Sequence, residues 1–151
     1  MAWSVALYSA AESPHVGRIE FSNAKRTRGE FKCVAMAEID GEEWSVSLAM
    51  IDAYQGDMLG YFEELASGEW TGANFWQSEF AEMDLATTLL DETLAKVEIT
   101  MRWGPTYDNE GGGEIVVRRE EFTRVLREMR ELLGLDRGSR FRRGAYGRGR
   151  P

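Results

Sequence analysis

One cysteine, one histidine and three prolines are all that 151 residues contain of those types, and each scarcity removes a class of chemistry. A single cysteine, Cys33, closes no internal disulfide. It lies in the alternating run FKCVAMAEI, where a small apolar residue suits the buried face of a strand. With one histidine beside it there is no structural zinc set, and His15 has no second imidazole for a catalytic one. Carboxylates are plentiful, but DNEGGGEIVVRRE lacks the alternating acids of an EF-hand loop, so no metal or other cofactor is expected.

Nucleotide chemistry is missing too. The triplet Gly111-Gly112-Gly113 has no Lys-Ser/Thr after it and leads into a strand, not a helix N-terminus, so it reads as a flexible hairpin tip. No apolar run approaches a membrane span, and the N-terminus MAWSVALYSAAESPH has no basic residue ahead of its apolar stretch. A reducing cytoplasm is the expected location. No internal repeat emerges at a fixed period.

What the sequence has is charge, unevenly placed. Residues 1–135 carry 12 Lys and Arg against 25 Asp and Glu, a net −13; residues 136–151 carry six Arg against Asp136, a net +5. The overall −8 conceals this dipole. A composition 43% hydrophobic and 29% charged fits one globular domain over 1–135, followed by a disordered Arg/Gly-rich tail over 136–151.

Period-two alternation marks strands through Trp3, Val5 and Leu7, then Ile19 and Phe21, then Phe31 to Ile39. Asp40-Gly41 between EFKCVAMAEI and EEWSVSLAM predicts a hairpin with a type I′ turn, because both residues accept positive φ. Asp52 with Gln55 has the form of a capping box and opens a helix through Met58, Leu59, Phe62 and Leu65, stopped at Gly68. SGEWTGANFWQSEFAEMDL reads as an irregular aromatic crossover. Strands follow at Met83–Leu89 and Val97–Trp103. GPTYDNEGGG is then a long loop before a strand EIVVR, and a last helix runs from Arg119 to Gly134 with opposite charges four apart at Glu120/Arg124, Arg124/Glu128 and Arg127/Glu131. The fold class is α+β, a curved antiparallel sheet with two helices packed on one face.

Candidate binding residues fall in two places. Trp70, Phe75 and Trp76 either rigidify the crossover under the first helix or form an exposed partner-binding platform, whereas Trp3, Trp44 and Trp103 are in strand register and belong to the core. In the tail, Arg137, Arg140, Arg142, Arg143, Arg148 and Arg150 can meet phosphates while Phe141 and Tyr146 stack on unpaired bases, which makes RNA a candidate ligand. Alternatively the tail folds back onto the acidic domain.

No catalytic set is positioned. His15 follows Pro14 in a connecting segment, and acid pairs such as Glu79 with Glu82 or Asp84 are expected by number alone among 26 acids. An enzyme would have to assemble a pocket from carboxylates, Tyr54, Tyr61, Tyr107 or His15.

From YFEELASGEWTGANFWQSEFAEMDL through KVEITMRWG to EIVVRREEFTRVLREMRELLG, roughly residues 44–134, the chain resembles an uncharacterised actinobacterial domain family. Leu65-Ala66 at the end of the helix, Trp70 and Trp76, the strand with Leu85 and Ala86, and the terminal helix carry the likeness. The resemblance implies a small α+β domain without a known reaction, similar to domains found among bacterial immunity proteins. The function expected on all these grounds is a non-enzymatic, cytoplasmic binding protein, of the immunity or defence kind, whose acidic surface meets a basic protein partner. RNA association through the tail is the alternative, and a small carboxylate enzyme a further one.

Overall fold

The computed structural model describes residues 4–27, 29–70 and 72–132, of which 26, 27, 50–57 and 132 are described by backbone alone. The tail from 133 onward, Trp3, and the side chains of Asp52, Tyr54 and Gln55 therefore lie outside the described residues.

Ten elements run in the order β1 (Ser4–Tyr8), β2 (Gly17–Thr27), β3 (Glu30–Ile39), β4 (Glu42–Ile51), α1 (Asp52–Ser67), β5 (Ala73–Gln77), β6 (Met83–Leu89), β7 (Leu94–Trp103), β8 (Asn109–Arg118) and α2 (Glu121–Leu132). Four antiparallel strands and a helix thus occur twice. The order of elements repeats although no residue period announces it. Backbone pairing and an apolar inner face are all that such a unit requires, so two halves can share a plan without sharing residues.

The α+β antiparallel architecture agrees with the sequence reading, with the strands divided between two four-stranded sheets, β1-β2-β3-β4 and β5-β6-β7-β8. The inner faces of both sheets and both helices meet in one core. Val5, Leu7, Ile19 and Phe21 from the first sheet, Leu85, Val97 and Ile99 from the second, Phe62 and Leu65 from α1, and Phe122 and Val125 from α2 are all buried. Phe21 meets Phe62 edge-on at 6.2 Å, and Tyr61 joins Phe62 to Trp76. The Tyr61 hydroxyl, sealed in this core, bonds the Thr87 hydroxyl, which satisfies a group that would otherwise be costly to bury.

The β3–β4 turn has the expected geometry: Asp40 at φ 52° and Gly41 at φ 89° both take the left-handed conformation of a type I′ hairpin. Helix α1 stops at Gly68, φ 75°, and its end is closed from outside the helix. Trp70 Nε1 donates to the Leu65 carbonyl at 3.1 Å and the Arg119 guanidinium, 5.9 Å from the Trp70 ring, donates to the Gly68 carbonyl. Those carbonyls have no partner within the helix, so the side chains complete it.

The segment expected to be irregular contains β5, paired with β6 from Ala73↔Thr88 to Gln77↔Asp84. The three glycines expected in a hairpin tip are paired in β8: Gly111 faces Met101, Gly112 faces Thr100 and Gly113 faces Ile99. The reason is a close approach. A Cβ on Gly111 would stand 2.2 Å from Trp44 Nε1, and one on Gly113 would touch Ile39 at 3.2 Å, so glycine lets the β3–β4 hairpin close on β8.

The last helix spans Glu121–Leu132. Of the expected charge pairs, Arg124–Glu128 forms at 3.0 Å, while Arg124 also pairs with Glu121 and donates to the Ala6 carbonyl at the edge of the first sheet. That side of α2 is a clamp on β1 and not only a solvated face.

Candidate interaction face of the second sheet

Register fixes which side chains share the outer face of β5–β8. Residues opposite one another across an antiparallel ladder point the same way. One row runs Phe75, Ala86, Glu98, Glu114. The next runs Gln77, Asp84, Thr100, Gly112, and beyond it Arg102 faces Glu110. Phe75 is 64% exposed. The Glu110 side chain is largely in solvent, that of Glu98 about half so, and Glu114 is half-buried.

Two features of this face need a reason. Phe75 stands on it without an aromatic neighbour in its row, since Ala86 beside it is small. Glu98 and Glu114 stand directly opposite each other, an arrangement of like charges that weakens a ladder. Between Glu110 and Glu114 the outward position is Gly112, which adds no side chain, so a trough runs along β8. It is about 400 Å³ in volume, lined by Glu98, Thr100, Glu110, Gly112 and Glu114.

Cations on the same face are already engaged. Arg102 donates to Asp84 at 2.6 Å and to the Ala81 carbonyl at 3.1 Å, and lies 3.8 Å from Glu110; Lys96 lies 3.7 Å from Glu98. At its other end the face is closed. The β1–β2 loop crosses the free edge of β8, with Ala10 N–H donating to the Val116 carbonyl and Val116 N–H to the Ser13 hydroxyl, so Val116 is buried although it points outward.

Of the two readings of the crossover aromatics, the two tryptophans take the packed one. Trp70 and Trp76 are 6% and 7% exposed; Trp70 closes α1 and Trp76 points inward from β5, so both rings are buried. Phe75, between them in sequence and on the opposite face of its strand, is exposed. Trp44 is half-buried in the core as expected. Trp103 is not core: it continues the inward register of Val97, Ile99 and Met101 but sits at the end of β7, where it stays 39% exposed. Arg137, Arg140, Phe141, Arg142, Arg143, Tyr146, Arg148 and Arg150 lie outside the described residues.

Several of the reactive and titratable groups named from the sequence are engaged structurally. Burial, with a smaller contribution from Glu82, pushes the Cys33 thiol up to about 12, and burial pushes the Tyr61 phenol to about 12, so both are held protonated inside the core. His15 is in the β1–β2 loop, where its Nδ1 lies 2.6 Å from Asp40 and Asp40 also accepts from Val16 N–H. These bonds, the histidine contact first, hold the Asp40 carboxyl below its ordinary value. Glu82 accepts from Ser78 at 2.6 Å and Asp84 from Arg102. Among the described residues no three His, Cys, Asp or Glu side chains gather as a metal-binding group. The enclosed cavity beneath both sheets, lined by Val5, Phe21, Phe62, Leu85 and Phe122 among others, is apolar apart from Tyr61 and Thr87.

Glu98 and Glu114 were not singled out from the sequence, and Gly112 only within the triplet read as a hairpin tip. Alternation in KVEIT and GEIVV places both glutamates outward, but that they oppose each other depends on the register between β7 and β8.

No protein-family model matches the sequence, and no curated protein matches it. Among solved structures the chain is similar, at 11% identity and a TM-score of 0.48, to the Trypanosoma brucei MRP1/MRP2 proteins, over 92% of this chain and 87% of that one. It is similar at the same identity and TM-score to a chain of a guide-RNA-binding protein complex bound to a gRNA, over 91% and 92% of the two chains. No described helix is long and apolar enough to cross a membrane.

Proposed function

We propose that the protein is a binding module, not an enzyme, and that the outer face of β5–β8 receives a basic polypeptide. The observation that carries this is the row Phe75, Ala86, Glu98, Glu114, which sets an exposed ring and two opposed carboxylates on one open sheet face. An arginine side chain suits all three: its guanidinium forks onto carboxylates and its plane stacks on an aromatic ring. Lys96, 3.7 Å from Glu98, leaves Glu114 without a cation of its own in that row among the described residues, and a guanidinium seated between the two carboxylates offsets their repulsion by its attraction to both. The net −13 of residues 1–135 adds a longer-range field that speeds encounter with a basic partner. An immunity-type inhibitor of a basic toxin, or another inhibitor acting in the cytoplasm, would use such a surface.

The test is affinity for a synthetic arginine-glycine peptide, followed by fluorescence anisotropy on the full chain. Phe75→Ala and Glu98→Gln/Glu114→Gln are expected to weaken binding at least about tenfold, in line with loss of about 1.4 kcal/mol or more at a contact centre. Unchanged affinity in both variants refutes the reading.

A second reading rests on the tail composition, six arginines with Phe141 and Tyr146 among glycines, which suits phosphate contact and base stacking. It is tested by salt-dependent retention on single-stranded RNA, which removal of residues 136–151 should abolish.

A further inference from the structure

The same chain that carries an acidic, aromatic-bearing sheet face also carries a segment of the chemistry that fits it. Residues 136–151 hold six arginines and a net +5, with Phe141 and Tyr146 spaced among them. Glu98 on β7 opposes Glu114 on β8, and Glu110 lies beyond the bare Gly112, so three carboxylates line the trough between the two strands, Glu98 beside Lys96 and Glu110 beside Arg102. Phe75 stands two strands away from Glu98 across the small Ala86. We propose that the outer face of β5–β8 is occupied in the free protein by the chain's own C-terminal segment, residues 136–151, which any other basic partner must displace. This rests on the reading of that face as a receptor for basic polypeptide.

Reach and local concentration both favour the intramolecular occupant. Nineteen residues follow Leu132, the last described position. Fully extended they span at most roughly 65 Å, against a radius of gyration of roughly 14 Å for a domain of this size, so the segment can pass around the sheet to its outer face. A tether of this length holds its arginines at roughly millimolar effective concentration. A contact too weak to form between separate molecules at micromolar concentration is then substantially populated within one. Exchange is built into the arrangement. The attraction is between exposed charges, so it weakens with salt, and a partner presenting a better-ordered arginine takes the face when its concentration times its affinity exceeds that of the tether.

Alternative occupants are less well matched. A second copy of the chain would bring another acidic body to an acidic face. Nucleic acid would meet the same repulsion there, although it could compete from the other side by binding the arginines.

The test uses the full chain with Ser139→Cys carrying a nitroxide spin label. Cys33 is buried and needs no replacement, as mass measurement of wild-type protein after the same treatment will verify. Amide signals of Phe75, Ala86, Gly112 and Glu114 should lose intensity at low salt, while those of Ser45 and Ser47 on the outer face of the first sheet keep theirs. High salt, or Glu98→Gln/Glu114→Gln in the labelled chain, should restore the lost intensity. Equal broadening of both sheets, no broadening, or broadening that survives the double substitution overturns the proposal. Adding the free arginine-glycine peptide separates the two levels. If the label leaves β5–β8 unaffected but the peptide shifts its signals, self-occupancy fails and the receptor reading stands; if neither acts there, both fail.

Discussion

The indole of Trp44 lies against Gly111, so close that a methyl group on that glycine would stand 2.2 Å from Nε1. This contact joins the hairpin of the first sheet to the last strand of the second and fixes how the two halves of the fold meet. Gly111→Ala should therefore destabilise the protein by about 1–3 kcal/mol, the usual cost of forcing extra volume into a packed site. Denaturant midpoints check this. Combined with Trp44→Ala, the cost should be less than the sum of the two single changes, because the second change removes the clash created by the first.

A second expectation concerns the sealed pair Tyr61 and Thr87. Thr87→Val keeps the shape but leaves the phenol hydroxyl without its partner, at a cost of about 1–3 kcal/mol. Tyr61→Phe in the same background removes the orphaned hydroxyl and should recover part of the loss. Chemical denaturation of the four proteins in the cycle measures the coupling.

Alkaline pH should unfold the protein by a specific route. Cys33 is raised from 9.0 to about 12 and Tyr61 from 10.0 to about 12. A group whose pKa is higher in the folded than in the unfolded chain contributes stability that is complete below the unfolded value and lost as pH rises toward the folded one. Stability should hold to about pH 9 and fall between pH 9 and 12, and Cys33→Ala should flatten the beginning of that fall. Melting temperature against pH for both proteins is the readout.

At acid pH the β1–β2 loop should report on Asp40. Its carboxyl is depressed first by the bond to His15 and then by Val16 N–H. The sign is opposite to the alkaline case: the contribution is present above the ordinary carboxylate value and is lost as pH falls through the depressed one. His15→Ala should move the Asp40 titration, followed by carboxyl carbon NMR, upward toward the ordinary range. No upward movement would show that Val16 alone accounts for the depression.

The hairpin at Asp40-Gly41, helix α1 with its stop at Gly68, and the strands β6 and β7 were legible because each has a local cause: positive φ at a turn, a helical apolar period, or alternation. Strand β5 was not. Its five residues are short, and Trp70, Phe75 and Trp76 together suggest a cluster where the backbone in fact separates them, the two tryptophans inward and the phenylalanine outward. The glycines of β8 mislead for a related reason. Three in a row imply a loop until Trp44 and Ile39, about seventy residues earlier, are seen to occupy the space their side chains would fill. The candidate face had the least local signature. Phe75, Glu98 and Glu114 come from three strands, and only the register of β5, β6, β7 and β8 brings them into one row. Charge segregation between residues 1–135 and 136–151 was legible from counting, but where on the body the charge is offered was not.

The central claim is that basic polypeptide is received on the outer face of β5–β8. Its most direct test is amide chemical-shift mapping of the isotope-labelled full chain titrated with the synthetic arginine-glycine peptide. The account predicts shifts confined to that face, at Phe75, Ala86, Glu98, Gly112 and Glu114, that vanish at high salt. Shifts centred instead on β1–β4 or on α2, or none at all at saturating peptide, would contradict it.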